Sequence, residues 1–435
     1  MNDTPITFFW FRRDLRLEDN AGLYYALKQF RNVVPIFIFD TDILAQLPNR
    51  ADRRVDYIHQ ALAALQQQLV ALGTSLVVYH GKPTAVFETL LQSQKVAAII
   101  CNKDYEPNAI SRDQQVAAIA AANGAQFHAY KDQVIFEQAE IVKDDGLPYT
   151  VFTPYSKKWK SKLKPFYLKP YPSLSYTTSF LSQVAQKLPS LADIGFEQTG
   201  YVFKAPLVNE EIIQHYTEQR DYPALAATTE LSVHLRFGTI SIRKLAAIAL
   251  RSNETWLNEL IWREFYMAIL YHFPHVATRS FKPQYDNIIW RNNEQEFKAW
   301  CTGQTGYPIV DAGMRALNTT GFMHNRVRMI VASFLTKHLL IDWRWGAAYF
   351  AEKLIDFDLS ANNGGWQWAA GSGCDAAPYF RIFNPYEQTK KFDKDLKYIR
   401  KWVPEFEDFS YPSPIVDHKF ARERVLNAYK KALKD

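Results

Sequence analysis

The chain is predicted to combine an α/β domain, built on a doubly wound parallel sheet, with an all-α domain that follows a long connector. Three observations predict this. Over roughly the first 130 residues, short apolar β-rich runs alternate with helical patterns. From about 133 to 205, Pro148, Pro154, Pro165, Pro170, Pro172 and Pro189 rule out long regular elements, and Pro206 follows directly. Beyond Pro206 strand patterns disappear and helical periodicity takes over. The expected segments are therefore 1–132, 133–205 and 206–435, in a chain whose 435 residues can build two or three domains with large cores.

In the first segment strands are expected at 6–11, 33–39, 75–79, 96–101 and 126–130, with helices at 21–30, 52–72, 84–94 and 109–123. Such sheets bind ligands at the carboxyl ends of their strands. The turn after the first strand is Arg12-Arg-Asp-Leu-Arg-Leu-Glu-Asp19, and neither GxGxxG nor a Walker A sequence occurs, so the backbone there is not set to cradle a nucleotide. The connector keeps its Phe, Tyr and Trp and is read as ordered. Helices are then expected at 210–220, 242–251, 254–272, 295–301, 309–319, 324–338, 343–355, 363–370 and 420–433.

Apolar content of 48 % marks an ordinary globular protein, while 15 % aromatic residues exceed what core filling needs and leave rings for stacking on a flat ligand or carrying charge. A net charge of +6 is compatible with a polyanionic partner without demanding one. The lysines of Ser156-Lys-Lys-Trp-Lys-Ser-Lys-Leu-Lys164 read first as a solvated helix face. Cys101, Cys301 and Cys374 have no CxxC spacing, which excludes a disulfide framework, a zinc ribbon and a four-thiolate cluster; no metal is expected. No signal-like N-terminus and no run of about 18 apolar residues occurs, so a cytoplasmic, monomeric protein without membrane contact is expected.

The densest chemistry lies in Asp356-Phe-Asp-Leu-Ser-Ala-Asn-Asn-Gly-Gly-Trp-Gln-Trp-Ala-Ala370. Carboxylates, amides and indoles together suit a pocket for a flat, hydrogen-bonding, partly charged ligand better than they suit core or plain surface. Thr228-Thr-Glu-Leu-Ser232 sets three hydroxyls before a helix, where they could serve a pyrophosphate or merely cap the helix. Glu259, Trp262 and Arg263 share one helix face; together they could hold a planar base and a phosphate, or be an amphipathic face with an intrahelical Glu–Arg pair. Around Met323-His-Asn-Arg-Val-Arg-Met329, one arginine could pair with Asp356 or Asp358 and the other with phosphate; His324 reads as structural.

Five segments then match one family in order: Trp10–Asn20, the Trp256–Phe265 segment, Gly306–Arg315, Met323–Met329 and Asn362–Trp368. The chain resembles the photolyase/cryptochrome family over essentially its whole length, with bacterial class I cyclobutane pyrimidine dimer photolyases the nearest pattern. The resemblance implies an FAD in the helical domain. It sets Tyr216, Thr228, Thr229, Glu230, Leu231 and Ser232 along the phosphates and ribityl chain. Trp256, Arg263, Asn325, Arg328, Asp356, Phe357 and Asp358 surround the rest, and Asn362 faces the flavin N5. Plant cryptochromes carry aspartate and animal cryptochromes cysteine at that last place, so the amide favours repair over signalling. Glu230 stands where some relatives have arginine.

The same resemblance makes Trp290, Trp343 and Trp366 an electron-carrying chain, with Trp345 an unassigned neighbour. UV-damaged DNA containing pyrimidine dimers is the implied partner, met in the bacterial nucleoid. Glu259, Trp262, Asn325, Met329 and Trp368 would receive the flipped-out dimer, and Arg220, Arg326 and Gln388 would meet the backbone. Repair of 6–4 products, which needs a histidine pair, is not implied by the single His324. A second, antenna chromophore is left open between a folate (Asn108, though Ala109 replaces a glutamate), a deazaflavin (Asp40, Arg54, Asp104) and another flavin. The alternative function is a cryptochrome-type light sensor; the short stretch after the last expected helix leaves little room for an output tail.

Overall fold

The computed structural model describes residues 4–433. The chain packs as two compact units that are not contiguous in sequence: one holds the chain up to Glu137 with Lys162–Val208 and Leu231–Ile248, the other Gln138–Ser161, Asn209–Glu230 and the chain from Ala249 on. The stretch 133–205 is thus shared between them.

In the first unit, among the described residues, five parallel strands form one sheet. They are β1 (Ile6–Phe11), β2 (Val33–Asp40), β3 (Val77–Gly81), β4 (Val96–Asn102) and β5 (Gln126–Tyr130), in the order β3-β2-β1-β4-β5. β1 and β2 are apolar almost without alternation because both faces are covered, as in a doubly wound sheet. Pro35 is tolerated in β2 because β3 pairs only from Ile36 onward. The helices are α1 (Ala21–Gln29), α2 (Thr41–Leu44), α3 (Arg53–Ala71), α4 (Pro83–Ser93) and α5 (Pro107–Ala122). Side chains of Asn20 and Asp52 cap α1 and α3.

The winding reverses between β1 and β4, and the turn after β1 lies there. Its arginines are spent on internal carboxylates. Arg12 pairs with Asp113, Arg13 with Glu106 at 2.9 Å and Arg16 with Asp132 at 2.7 Å; Arg243 joins Asp132 at 2.7 Å and Asp19 at 2.8 Å. Of the residues tied to an antenna, Asp104 lies 3.3 Å from Arg13, Arg54 bonds Asp52 at 2.9 Å, Asp40 caps α2, and Asn108 and Ala109 open α5.

The connector does contain a helix, α6 (Phe152–Lys162); Pro154 stands in its first turn, where a missing N–H costs no helical bond. Short 3₁₀ turns follow at Pro165–Leu168, Ser173–Ser179 and Ala192–Ile194. Next come α7 (Glu210–Gln214), α8 (Tyr216–Gln219), α9 (Ser232–Phe237) and α10 (Ile242–Ser252). The expected helix at 210–220 is therefore two short ones, broken where His215 leaves helical geometry at φ −92° and ψ 8°.

The remaining helices belong to the second unit: α11 (Glu254–His272), α12 (Glu294–Thr302), α13 (Pro308–Thr320), α14 (Asn325–Ser333), α15 (Trp343–Lys353), α16 (Leu359–Ala370), α17 (Pro385–Phe392), α18 (Lys397–Trp402) and α19 (His418–Ala432). The expected helix at 324–338 changes pitch, with a π-helical turn over Phe334–His338. α17 and α18 had not been expected; both are short and strongly charged, so no long apolar period announces them. Trp300, Met314, Val327, Val331, Trp343 and Trp366 fill the core between these helices. Two glycines permit that packing: a Cβ on Gly346 would come within 2.1 Å of Trp366, and one on Gly364 within 2.2 Å of Tyr266. Among the described residues no helix is long and apolar enough to cross a membrane, and no His/Cys/Asp/Glu cluster could hold a metal.

Candidate functional site

Three helices of the second unit, α11, α14 and α16, carry many of the candidate residues. α11 begins where the Asn253 side chain accepts the Trp256 N–H at 3.0 Å, which fixes the register of Trp256, Glu259, Trp262 and Arg263. Trp256 is buried, while Glu259, Trp262 and Arg263 are half-buried. The partner of the Glu259 carboxylate is Arg220, just beyond α8. Burial pushes the Glu259 carboxyl above its usual range, and Arg220 only partly offsets this. The Arg220 guanidinium also lies 5.4 Å from the ring of half-buried Tyr216. Trp262 stacks on Phe152 at 3.8 Å between ring centres, with planes 4° apart.

α14 starts at His324, whose Nδ1 accepts the Arg326 N–H at 3.2 Å. Burial holds the His324 imidazole down at about 4, so the ring is neutral and serves as a cap. Arg328 is the arginine that pairs with Asp356, donating to both carboxylate oxygens at 3.1 and 2.9 Å, and it also donates to the Met323 carbonyl at 2.8 Å. Arg326 turns to Asp221, at 3.2 and 2.6 Å. Asn325 is exposed and Met329 half-buried.

Asp358 caps α16, accepting the Ala361 N–H at 3.1 Å and the Ser360 hydroxyl. Asn362 donates to the Ala347 carbonyl at 3.1 Å, which orients its amide. Its neighbours Asn363 and Gln367 are structural: both donate to the Val276 carbonyl, at 2.6 and 2.9 Å. Phe357 packs on the helical core and Trp368 lies 6.4 Å from Phe383. Trp366 and Trp343 are buried in that core, and Trp290 packs against it, 6.1 Å edge-on from Tyr429. Thr228 and Thr229 are half-buried and Glu230 is exposed, in left-handed backbone at φ 52°. In the first unit, Leu231 is buried and Ser232 opens α9 exposed. Gln388 is half-buried on α17.

Three side chains that touch these residues carried no assignment in the sequence. Phe152 came from the irregular stretch; Trp300 lies 6.0 Å from Trp366 between ring centres; Asp221 follows Arg220 directly. Only Asp221 had a signal, an acid placed between residues assigned to DNA. Within the lysine run, Lys158 meets Asp144 at 3.1 Å and Lys160 meets Glu254 at 2.6 Å, while the buried Trp159 indole donates to Glu264 at 2.7 Å.

The donor set fits a flavin dinucleotide. A guanidinium–carboxylate pair and an oriented amide can meet polar ring edges and phosphate, and Asn258 Oδ1 is buried without a partner among the described residues. At Gly365 an added Cβ would meet nothing within 4 Å, so α16 offers open space there.

Comparisons agree. Residues 256–410 match the model described as the FAD binding domain of DNA photolyase, and residues 7–175 the DNA photolyase model. A deoxyribodipyrimidine photo-lyase of Synechococcus sp. is 39 % identical, with 97 % of this chain and 96 % of that protein covered. A bacterial class III photolyase from Agrobacterium tumefaciens superposes with a TM-score of 0.88 at 33 % identity, covering 100 % of this chain and 99 % of the other. An archaeal photolyase from Sulfolobus tokodaii, with two FAD molecules, gives 0.82 at 36 % identity and 98 % and 99 % coverage. The chain belongs to the DNA photolyase family and carries its FAD-binding domain. The motifs resemble class I enzymes, yet a class III photolyase is among the structures this chain resembles, so the family is shown and the class is not.

Proposed function

We propose that the protein repairs cyclobutane pyrimidine dimers in DNA by a light-driven electron exchange. The observation that carries this reading is the α11 face, where Glu259 and Trp262 stand one turn apart with Arg220 on the carboxylate, inside the FAD-binding region. The deoxyribodipyrimidine photo-lyase activity named for relatives supports it. When bound, reduced FAD would supply the light-driven one-electron chemistry of such a repair, with no net redox change and so no cosubstrate consumed.

Arg328, Asp356, Asp358 and Asn362 would hold the cofactor, with Tyr216, Thr228, Thr229, Glu230, Trp256, Arg263 and Phe357 completing its surroundings within the second unit. Trp262 and Trp368 pack against the extruded bases, a contact every pyrimidine can make. Met329 and Asn325 line the same pocket. Glu259 in its protonated form, which burial favours, donates to the base carbonyl and steadies the negative charge that develops there. Arg220, Arg326 and Gln388 meet phosphates, a salt-dependent and sequence-independent contribution. Trp290, Trp343 and Trp366 would relay electrons from an external reductant in solution toward the cofactor.

The test is to illuminate an oligonucleotide carrying one thymine dimer with chemically reduced protein and follow the return of thymine absorbance. Restoration in light and none in the dark is expected. Equal restoration in the dark, or binding without restoration in light, would overturn the reading. Extraction should also yield one noncovalent FAD per chain after reconstitution.

A further inference from the structure

Four charged side chains alternate in sign across the face just described. Glu259 pairs with Arg220; the Arg220 Nε lies 4.0 Å from Asp221 Oδ1; and the same Oδ1 accepts from Arg326 Nε at 3.2 Å and Nη2 at 2.6 Å. The side chains are 31, 26, 36 and 16 % exposed in that order, so all four remain within reach of a surface ligand. The Arg326 guanidinium is further pinned 4.3 Å from the Phe392 ring. The quartet is formally neutral. A DNA-binding face needs cations, and a carboxylate beside the backbone repels phosphate. Asp221 is therefore costly there unless it does something for the arginines.

Its geometry says what. Asp221 and Arg326 lie 105 residues apart in sequence, so Arg220 and Arg326 come from different segments. One carboxylate oxygen bonds Arg326 directly and stands 4.0 Å from the Arg220 Nε, so it holds Arg326 beside an Arg220 already bonded to Glu259 before DNA arrives. The same charge cancels one of their two positive charges. We propose that Asp221 is a positioning and specificity-determining residue for DNA: it orders Arg220 and Arg326 beside the Glu259 pocket while suppressing attraction to DNA that has no base to place in that pocket. Undamaged duplex, which is held by charge alone, is weakened most. DNA with an extruded dimer gains the ordered arginines and the pocket together. The inference rests on the proposed repair function.

Asp221→Asn separates these effects. Binding of the reconstituted protein to a fluorescent duplex, with and without one thymine dimer, is measured by anisotropy from about 0.05 to 0.3 M salt. The neutral variant should bind undamaged duplex about fivefold more tightly at the lowest salt, as expected for losing one partly screened repulsive charge. The slope of log K against log salt should steepen by about one phosphate contact. Affinity for the dimer should rise less, so discrimination falls, and Asp221→Glu should restore both slope and discrimination. A merely structural residue would instead weaken both duplexes together at an unchanged slope, and that result would overturn the proposal. Asp221→Ser, with folding checked by circular dichroism, is the second neutral variant should the first be unstable. If the wild type shows no preference for the dimer, the repair reading itself fails; if it does and Asp221→Asn keeps the same preference and slope, only the Asp221 proposal fails.

Discussion

The two units use the same charged residue types in opposite ways. In the α/β unit, Asp132 accepts from Arg16 and Arg243 while the rest of its surroundings are protein, with side chains 1, 10 and 5 % exposed. In the helical unit, Glu259 and Arg220 are 31 and 26 % exposed, and only one bond joins them. A buried, multiply bonded pair is fixed by desolvation and holds backbone segments together. A half-exposed, singly bonded pair can exchange its partner for a ligand. Charge at a strand-end crevice or on a helix face is thus no sign of a site in itself; residual exposure and unfilled bonding capacity are.

That contrast can be broken by mutation, and the α/β unit should show the largest loss of fold. Asp132→Asn takes the carboxylate from Arg16 and leaves Arg243 with Asp19 alone, and should cost about 3–5 kcal/mol in chemical denaturation. Burial alone would raise the Asp132 carboxyl, but Arg16 and Arg243 outweigh it and hold it at about 2, against 3.8 ordinarily. Its contribution is therefore present above pH 3.8 and lost as pH falls through about 2. Acid titration of stability should lose that component in the variant.

Gly346→Ala should come next. Its Cβ would stand 2.1 Å from buried Trp366, an overpacking worth about 1–3 kcal/mol by thermal melting. Trp366→Phe keeps most of the volume and should cost on the order of 1–2 kcal/mol. Blue-light reduction of oxidised FAD should fall at least tenfold in that variant while repair by chemically reduced protein survives. Normal photoreduction would direct attention to Trp300, 6.0 Å from Trp366, or to Trp345. Lys160→Ala should be the smallest change, with no measurable shift in melting, because its bond to Glu254 is exposed.

Much of this was legible in the sequence. β1 falls on the expected 6–11 and α11 on 254–272, because an unbroken apolar run and a long helical period each fix one element. Periodicity gives the face of a helix, however, and says nothing of what meets it. Glu259, Trp262 and Arg263 could be placed on one side of α11, but that Arg220 would take the carboxylate and Phe152 the indole depends on chain segments brought together only by folding. The helix of Phe152 was hidden among prolines, one of which sits harmlessly in its first turn. The change to π-helical pitch over Phe334–His338 leaves no mark that propensity would show. The family motifs were read from order and identity along the chain, which does not depend on where each helix begins or ends.

The most direct measurement is the yield of dimer splitting per absorbed photon for Glu259→Ala, taken on protein with full FAD content. The account predicts wild-type melting within about 1 kcal/mol, as for a half-exposed position, with both the photon yield and the affinity for dimer-containing DNA clearly reduced. Wild-type yield and affinity in that variant would contradict it, because the α11 face would then be ordinary surface and the contrast between the two units would carry no functional meaning.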